Sequence, residues 1–165
     1  MMGYVLAFAG MNEDKHVTYL PSYGAEVRGG TANCTVVVSE EEIASPIASS
    51  PEFVVVMNYP SMVKYQSTVK PGGIMFLNSD LITEEPTRDD INVVKAPVNT
   101  LAHDMGADRS LNMVMLGVVA AKTGIVSTSA LLSAIEKVLQ GKKQSLIEMN
   151  QKALEAGIKF GSENN

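Results

Sequence analysis

The sequence Phe53-Val54-Val55-Val56-Met57 is a continuous apolar stretch, which is typical of a strand buried on both faces of a parallel sheet. The same pattern returns at residues 74–77 and again at residues 91–94. Residues 61–69, between the first two runs, have the length and spacing of a crossover helix, and Ser61 is its predicted cap. The two runs and this helix therefore predict a βαβ unit, followed by a third strand.

The chain on the amino-terminal side of this unit also alternates between helix and strand. Residues 2–11 predict a helix, and the β-branched runs at residues 16–20 and 34–38 predict strands. We expect residues 34–38 to join the central sheet. The alternation predicts a three-layer α/β sandwich with a mainly parallel sheet and helices on both faces, as one domain over residues 1–165.

The last third of the chain changes its apolar period from two to 3.6 residues, which predicts a helical carboxy-terminal region. Residues 112–123 are apolar on every side, which is typical of a buried helix. Thr128 is the predicted cap of the next amphipathic helix, and a further helix is predicted to end at Gly157.

A loop at residues 21–34 stands out because glycines, charges and amides crowd there between two strand-like runs. Its glycines permit positive φ or the close approach of another molecule. A plain solvated connection, in which opposite charges pair with each other, is the alternative. The candidate functional residues of this loop are Ser22, Tyr23, Gly24, Glu26, Arg28, Gly29, Gly30 and Asn33.

Ligands of parallel α/β sheets bind beyond the carboxyl ends of the strands. The predicted polar strand tips are residues 19–23, 58–59 and 78–80, so the loop and the other two tips are expected to share one edge. Asp80 suggests a metal ligand or a catalytic acid. We favour a helix cap or turn residue, because no second carboxylate accompanies Asp80.

Composition excludes several classes of function. A net charge of −5 with scattered Lys and Arg argues against a nucleic-acid partner. One cysteine cannot hold an iron–sulfur cluster or a cysteine-only zinc site, and it indicates a reducing compartment. The longest apolar run is far shorter than the ~20 residues that span a bilayer. We therefore expect a cytoplasmic protein without a membrane segment.

Familiar catalytic constellations do not occur. Cys34 is followed by a β-branched run and is predicted to be a buried thiol. His16 and His103 have no second ligand at metal spacing, so both are predicted to be structural. The sequence contains neither a nucleophile elbow nor a phosphate-binding Walker loop.

Several motifs together carry a resemblance to a known family. Residues 19–34 resemble the S-Y-G-P-E-x-R-G-G loop of the gamma subunits of 2-oxoacid:ferredoxin oxidoreductases, which act on pyruvate, 2-oxoglutarate or 2-ketoisovalerate. Residues 70–73, followed by residues 78–81, resemble the family's second glycine turn and strand tip. Residues 112–117 and 150–157 resemble its two carboxy-terminal helices.

Two departures from the family pattern stand out. Ala25 takes the place of the usual proline, which should loosen the loop slightly without changing its charges. Family members open with a strand and a G-x-G-G-Q-G turn, whereas residues 1–10 resemble the helix that follows them. We therefore expect the usual amino-terminal strand and glycine turn to be lacking, through a late start or a truncation.

The resemblance implies a subunit of a thiamine-diphosphate enzyme that decarboxylates a 2-oxoacid oxidatively, forms an acyl-coenzyme A and reduces ferredoxin. It implies that this chain binds no cofactor itself. Thiamine diphosphate, Mg, iron–sulfur clusters and coenzyme A would lie on or with the alpha, beta and ferredoxin-like delta subunits. Whether the loop meets coenzyme A or thiamine stays open. On its own the chain is expected to form a homodimer, because an obligate subunit exposes apolar surface.

Two other functions compete with this one. The chain could be a stand-alone α/β binding module for a small phosphorylated ligand, although it lacks a fingerprint turn. It could also be a scaffold. An effect of Glu26 and Arg28 on turnover, rather than only on assembly, would distinguish the enzyme subunit from the scaffold.

Overall fold

The computed structural model describes residues 1–22 and 32–164. Helices and strands are mixed in the first two-thirds of the chain, and only helices follow. In chain order they are α1 (Met2–Asn12), β1 (His16–Ser22), β2 (Asn33–Ser39), β3 (Phe53–Val56), α2 (Tyr59–Tyr65), β4 (Ile74–Asn78), β5 (Asn92–Ala96), α3 (Val98–Asp104), α4 (Leu111–Thr123), α5 (Thr128–Val138) and α6 (Gln144–Glu163).

The three apolar runs form one parallel sheet in the order β3-β4-β5. Val55 pairs with Phe76, and Phe76 pairs with Val94, so the centres of the three strands are aligned. Helix α2 and a short 3-10 turn connect β3 to β4. The predicted βαβ unit and its third strand are thus confirmed.

The parallel sheet is covered on both faces, because its side chains alternate between two apolar clusters. Phe53, Val55 and Phe76 pack in a large cluster with residues of α1, α4, α5 and α6. Val54, Val56 and Met75 pack on the other face with Met62 of α2. This arrangement confirms the mixed α/β fold with helices on both faces and a helical carboxy-terminal region.

The prediction that residues 34–38 join the central sheet is wrong. Strand β2 pairs antiparallel with β1 in a separate two-stranded ribbon, with seven residue pairs that run from His16↔Ser39 to Ser22↔Asn33. An apolar β-branched run indicates a strand but does not specify its partner. Strands that are close in the chain pair antiparallel more readily than distant ones, because closing the shorter loop costs less entropy.

Two predicted helix caps lie one to three residues from the observed ones. Asn58, not Ser61, caps α2: its side-chain oxygen accepts a hydrogen bond from the Ser61 N–H at 3.0 Å. Pro60 is tolerated in this first turn, where its missing N–H costs nothing. Ser127, not Thr128, caps α5, because its Oγ accepts from the Ala130 N–H at 3.2 Å.

The prediction that the last helix ends at Gly157 is wrong, because α6 continues to Glu163. Gly157 faces Val114 of α4, and Gly161 faces Val118, so the two helices run in the same direction with their backbones in close contact. Glycine at residue 157 therefore serves helix packing rather than helix termination. Among the helices of residues 1–22 and 32–164, none has both the length and the apolar character required to cross a membrane.

A polar link joins the α1–β1 turn to the start of α5. Glu13 Oε1 accepts a hydrogen bond from the Ser127 N–H at 2.7 Å, and Lys15 Nζ lies 3.1 Å from Glu13 Oε2. Lys15 also donates to the Ile125 carbonyl at 3.0 Å. Hydrogen bonds from Ser127, together with Lys15, hold the pKa of Glu13 below its usual range despite partial burial.

We expect Glu13→Gln to weaken the acid sensitivity of folding. A carboxylate whose pKa is lowered in the folded state stabilises the protein above its ordinary pKa of about 4.3, and this contribution is lost as pH falls through the folded-state value. Urea unfolding at several pH values below about 5 should show a smaller loss of stability for the variant than for the wild type. Equal pH slopes for the two proteins would contradict this assignment.

Candidate functional site

Polar side chains meet at the carboxyl edge of the parallel sheet, with Asn78 at the centre. Asn78 is the last residue of β4 and is fully buried. Its Nδ2 donates to Asn99 Oδ1 at 2.8 Å and to the Met57 carbonyl at 3.4 Å. One amide therefore ties together the ends of β3 and β4 and the first turn of α3.

Asp80 lies on the same edge and binds the first turn of α3. Its carboxylate accepts hydrogen bonds from the N–H and the Oγ1 of Thr100, both at 2.8 Å. Asp80 thus caps a helix that lies 20 residues further along the chain, which confirms the predicted cap role. Within residues 1–22 and 32–164, no three His, Cys, Asp or Glu side chains are grouped so that they could hold a metal ion.

We expect Asp80→Ala to lower the free energy of unfolding by about 1 kcal/mol, because two hydrogen bonds at the start of α3 are lost. Asp80→Asn should recover part of this loss, since an amide oxygen still accepts one of the bonds. Chemical denaturation of the three proteins measures the difference. Identical stabilities would show that the two bonds to Thr100 contribute nothing.

A shallow cleft of about 360 Å³ opens beside α3. Its lining residues are Asn99, Thr100, His103, Asp108 and Leu111. His103 Nδ1 lies 3.0 Å from Asp108 Oδ1, and both side chains are largely exposed. The sequence pattern predicted His103 to be structural and did not indicate Asn99 or Asp108. Only Asn99, three residues after the end of the third parallel strand, had a positional signal in the sequence.

The predicted loop begins and ends on the antiparallel ribbon. Ser22 and Asn33 form its last residue pair, which holds the two ends of the loop together. Asn33 Nδ2 donates to the Tyr65 hydroxyl at 2.6 Å. The other six candidate residues lie outside the described part of the chain: Tyr23, Gly24, Glu26, Arg28, Gly29 and Gly30.

The root of the loop and the polar strand tips lie at opposite ends of α2. Asn58 caps the first turn of this helix, whereas Asn33 contacts Tyr65, its last residue. Seven residues at 1.5 Å each separate the two ends by about 10 Å. The sequence predicts that the loop and the strand tips share one edge. In the structure they lie farther apart than that, because the ribbon is separate from the parallel sheet.

The prediction that Cys34 is a buried thiol is wrong, because Cys34 is an exposed residue of β2. Its sulfur faces α1: a Cβ atom built at Gly3 would lie only 2.5 Å from Cys34 Sγ. Partial burial against this helix raises the pKa of the Cys34 thiol. The β-branched run after Cys34 correctly indicated a strand, but β2 belongs to the two-stranded ribbon and not to the central sheet.

Comparison with known proteins identifies the family. The family model for pyruvate ferredoxin/flavodoxin oxidoreductase matches residues 1–160. The chain therefore belongs to this family, which confirms the resemblance carried by its loop and helices.

Three relatives show the range of contexts in which this fold occurs. The chain is 36% identical over 165 residues to the ketoisovalerate oxidoreductase subunit VorA of Methanothermobacter thermautotrophicus, with 99% of this chain and 34% of VorA covered. It is 31% identical to the 2-oxoglutarate synthase subunit KorC of Methanothermobacter marburgensis, with coverages of 90% and 82%. The crystal structure of a keto/oxoacid ferredoxin oxidoreductase gamma subunit from Geobacter sulfurreducens matches with a TM-score of 0.82 at 28% identity, covering 97% of this chain and 89% of that one. The chain thus spans about a third of VorA but most of the other two.

Proposed function

We propose that the chain is the gamma-type subunit of a multi-subunit 2-oxoacid:ferredoxin oxidoreductase, acting as one domain over residues 1–165. The complex decarboxylates a 2-oxoacid oxidatively, forms an acyl-coenzyme A and passes two electrons to ferredoxin. The match of the family model to residues 1–160 carries the proposal. It favours this function over a stand-alone binding module or a scaffold.

In this proposal the chain provides contact surface for the other subunits and binds no cofactor itself. A single cysteine provides too few thiolates for an iron–sulfur cluster. In line with the family resemblance, we assign thiamine diphosphate, Mg and the iron–sulfur clusters to the alpha, beta and ferredoxin-like delta subunits. In this scheme the complex operates in the cytoplasm, where ferredoxin accepts the electrons.

The loop between Ser22 and Asn33 is the part of the chain that we assign to the reaction. Two observations support this role: the ribbon holds both loop ends together, and Asn33 is anchored on Tyr65. Closing a loop costs less entropy when its two ends are already held together, as Ser22 and Asn33 are. An arginine fork binds carboxylates and phosphates through two hydrogen bonds, and the 2-oxoacid and coenzyme A carry these groups.

Reconstitution tests the proposal. The complex is isolated through a tag on this chain, and its remaining subunits are purified without it. We expect reduction of ferredoxin and acyl-coenzyme A formation to depend on adding the chain, with pyruvate, 2-oxoglutarate and ketoisovalerate as the substrates compared. Full activity of the other subunits without this chain, with every one of these substrates, would overturn the proposal.

A further inference from the structure

Helix α1 has an apolar outer face. From Met2 to Met11 it carries no charged residue. Gly3 and Gly10 turn toward the ribbon, and Val5 and Ala9 are buried. The remaining face holds Tyr4, Phe8 and Met11, whose spacing of four and three residues places them in one stripe. Tyr4 is 45% exposed and Met11 is 56% exposed, on a face where a helix in contact with water usually carries polar residues.

Strand β1 extends this face into an aromatic cluster. The ring of Tyr4 stands edge-on to Phe8 at 5.0 Å and to Tyr19 of β1 at 5.5 Å. Lys137 of α5 lies 5.2 Å from the centre of the Phe8 ring and forms a basic rim. We call Tyr4, Phe8, Met11 and Tyr19 the Tyr4 surface. Aromatic residues and Met that are held in place by their neighbours are typical of the centre of a protein interface.

The Tyr4 surface adjoins the proposed functional loop. Tyr19 and Ser22 are three residues apart on β1, a distance of about 10 Å along an extended strand. The loop begins immediately after Ser22. A protein seated on Tyr4 and Tyr19 therefore lies about 10 Å from Ser22, the last described residue before the loop.

The relatives indicate which partner this is. VorA carries the region similar to this chain within a polypeptide about three times as long, whereas the same fold makes up 89% of the gamma-subunit chain from Geobacter sulfurreducens. The two-thirds of VorA outside the matched region correspond to a separate polypeptide where the domain is a chain of its own, as in Geobacter sulfurreducens. The natural occupant of an apolar face on such a domain is therefore that second, non-identical polypeptide.

We propose that the Tyr4 surface docks the chain onto the catalytic polypeptide of the oxidoreductase, and this inference rests on the proposed function. The partner presents an apolar groove to Tyr4, Phe8 and Met11. An acidic group on the partner faces Lys137, since complementary charges at an interface rim steer association. A second copy of this chain is the competing occupant.

Binding measurements with substituted chains test the docking surface. Tyr4→Asp and Met11→Asp place a charge on the surface, and Ile47→Asp does the same at a 70% exposed apolar residue outside it. Each chain is titrated into the purified remaining subunits. We expect both surface variants to bind at least about tenfold more weakly, which corresponds to about 1.4 kcal/mol, because disruption of a hot-spot residue at the centre of an interface costs at least this much. Ile47→Asp and Tyr4→Phe should bind like the wild type.

The outcomes separate this inference from the proposed function. Melting temperatures of the isolated chains show whether a variant is folded, and Tyr4→Asp, in the first turn of α1, places its charge where the helix dipole tolerates it best. Unchanged binding of both folded variants overturns the docking surface but leaves the subunit assignment intact if the wild type restores activity. Loss of self-association with unchanged binding to the other subunits assigns the surface to a second copy and also overturns the inference.

Discussion

Gly157→Ala is expected to disrupt the close packing of α4 and α6 and to destabilise the domain strongly. A Cβ atom at residue 157 would lie 1.9 Å from the carbonyl oxygen of Val114 and 2.7 Å from its carbonyl carbon. Both atoms belong to the backbone of a buried helix, so they cannot move aside as a flexible side chain can. Overpacking of a core typically costs 1–3 kcal/mol, and we expect a loss of about 3 kcal/mol or more here. That is a large part of a typical stability of 5–15 kcal/mol.

Urea denaturation of matched variants measures this effect. Glu155→Ala changes an exposed residue of the same helix and should be close to neutral. Gly161→Ala should have an intermediate effect, because its new Cβ would first meet Ala121 Cβ at 2.9 Å and a backbone atom only at 3.2 Å. Alanine is a better helix former than glycine by about 1 kcal/mol. A Gly157→Ala protein that is more stable than the wild type would therefore contradict the observed packing.

Arg28→Ala and Glu26→Ala are expected to reduce turnover of the assembled enzyme by about 10²-fold while leaving the subunit folded. Exposed ion pairs contribute only about 0–1 kcal/mol to stability, so loss of either charge should change folding little. Misplacement of a substrate-positioning group by 1 Å can cost about 10² in rate. This prediction rests on the proposed role of the loop and on its sequence.

Steady-state rates of the reconstituted complex and melting temperatures of the lone subunit separate the two roles. Arg28→Lys tests the guanidinium fork, because it retains the charge but loses the two parallel donors. Glu148→Ala, at an exposed residue of α6, provides the control for removal of a surface carboxylate. Early unfolding of both loop variants, with an unchanged rate per folded complex, would show that the loop is structural.

The elements of the fold could be predicted because each one leaves a local pattern in the sequence. The runs that became β3 and β4 are continuously apolar, the run of β5 is largely so, and α4 is apolar on every side, so their type and burial follow from period and length. Helix caps were less certain. Asn58 and Ser61 lie three residues apart, and Ser127 and Thr128 are adjacent. The members of each pair have similar capping ability, and only the backbone conformation decides between them.

By itself, the sequence determined the class of the fold, the family and the identity of the loop residues, because each depends on residue type and order along the chain. Tertiary structure alone decided that β2 pairs with β1, that Gly157 is a contact with α4, and that Asp80 caps a distant helix. The tertiary structure also leaves Tyr4 and Met11 of the Tyr4 surface exposed. A local pattern specifies which face of an element is apolar, but the partner of that face depends on contacts between residues far apart in the chain, which no local period encodes.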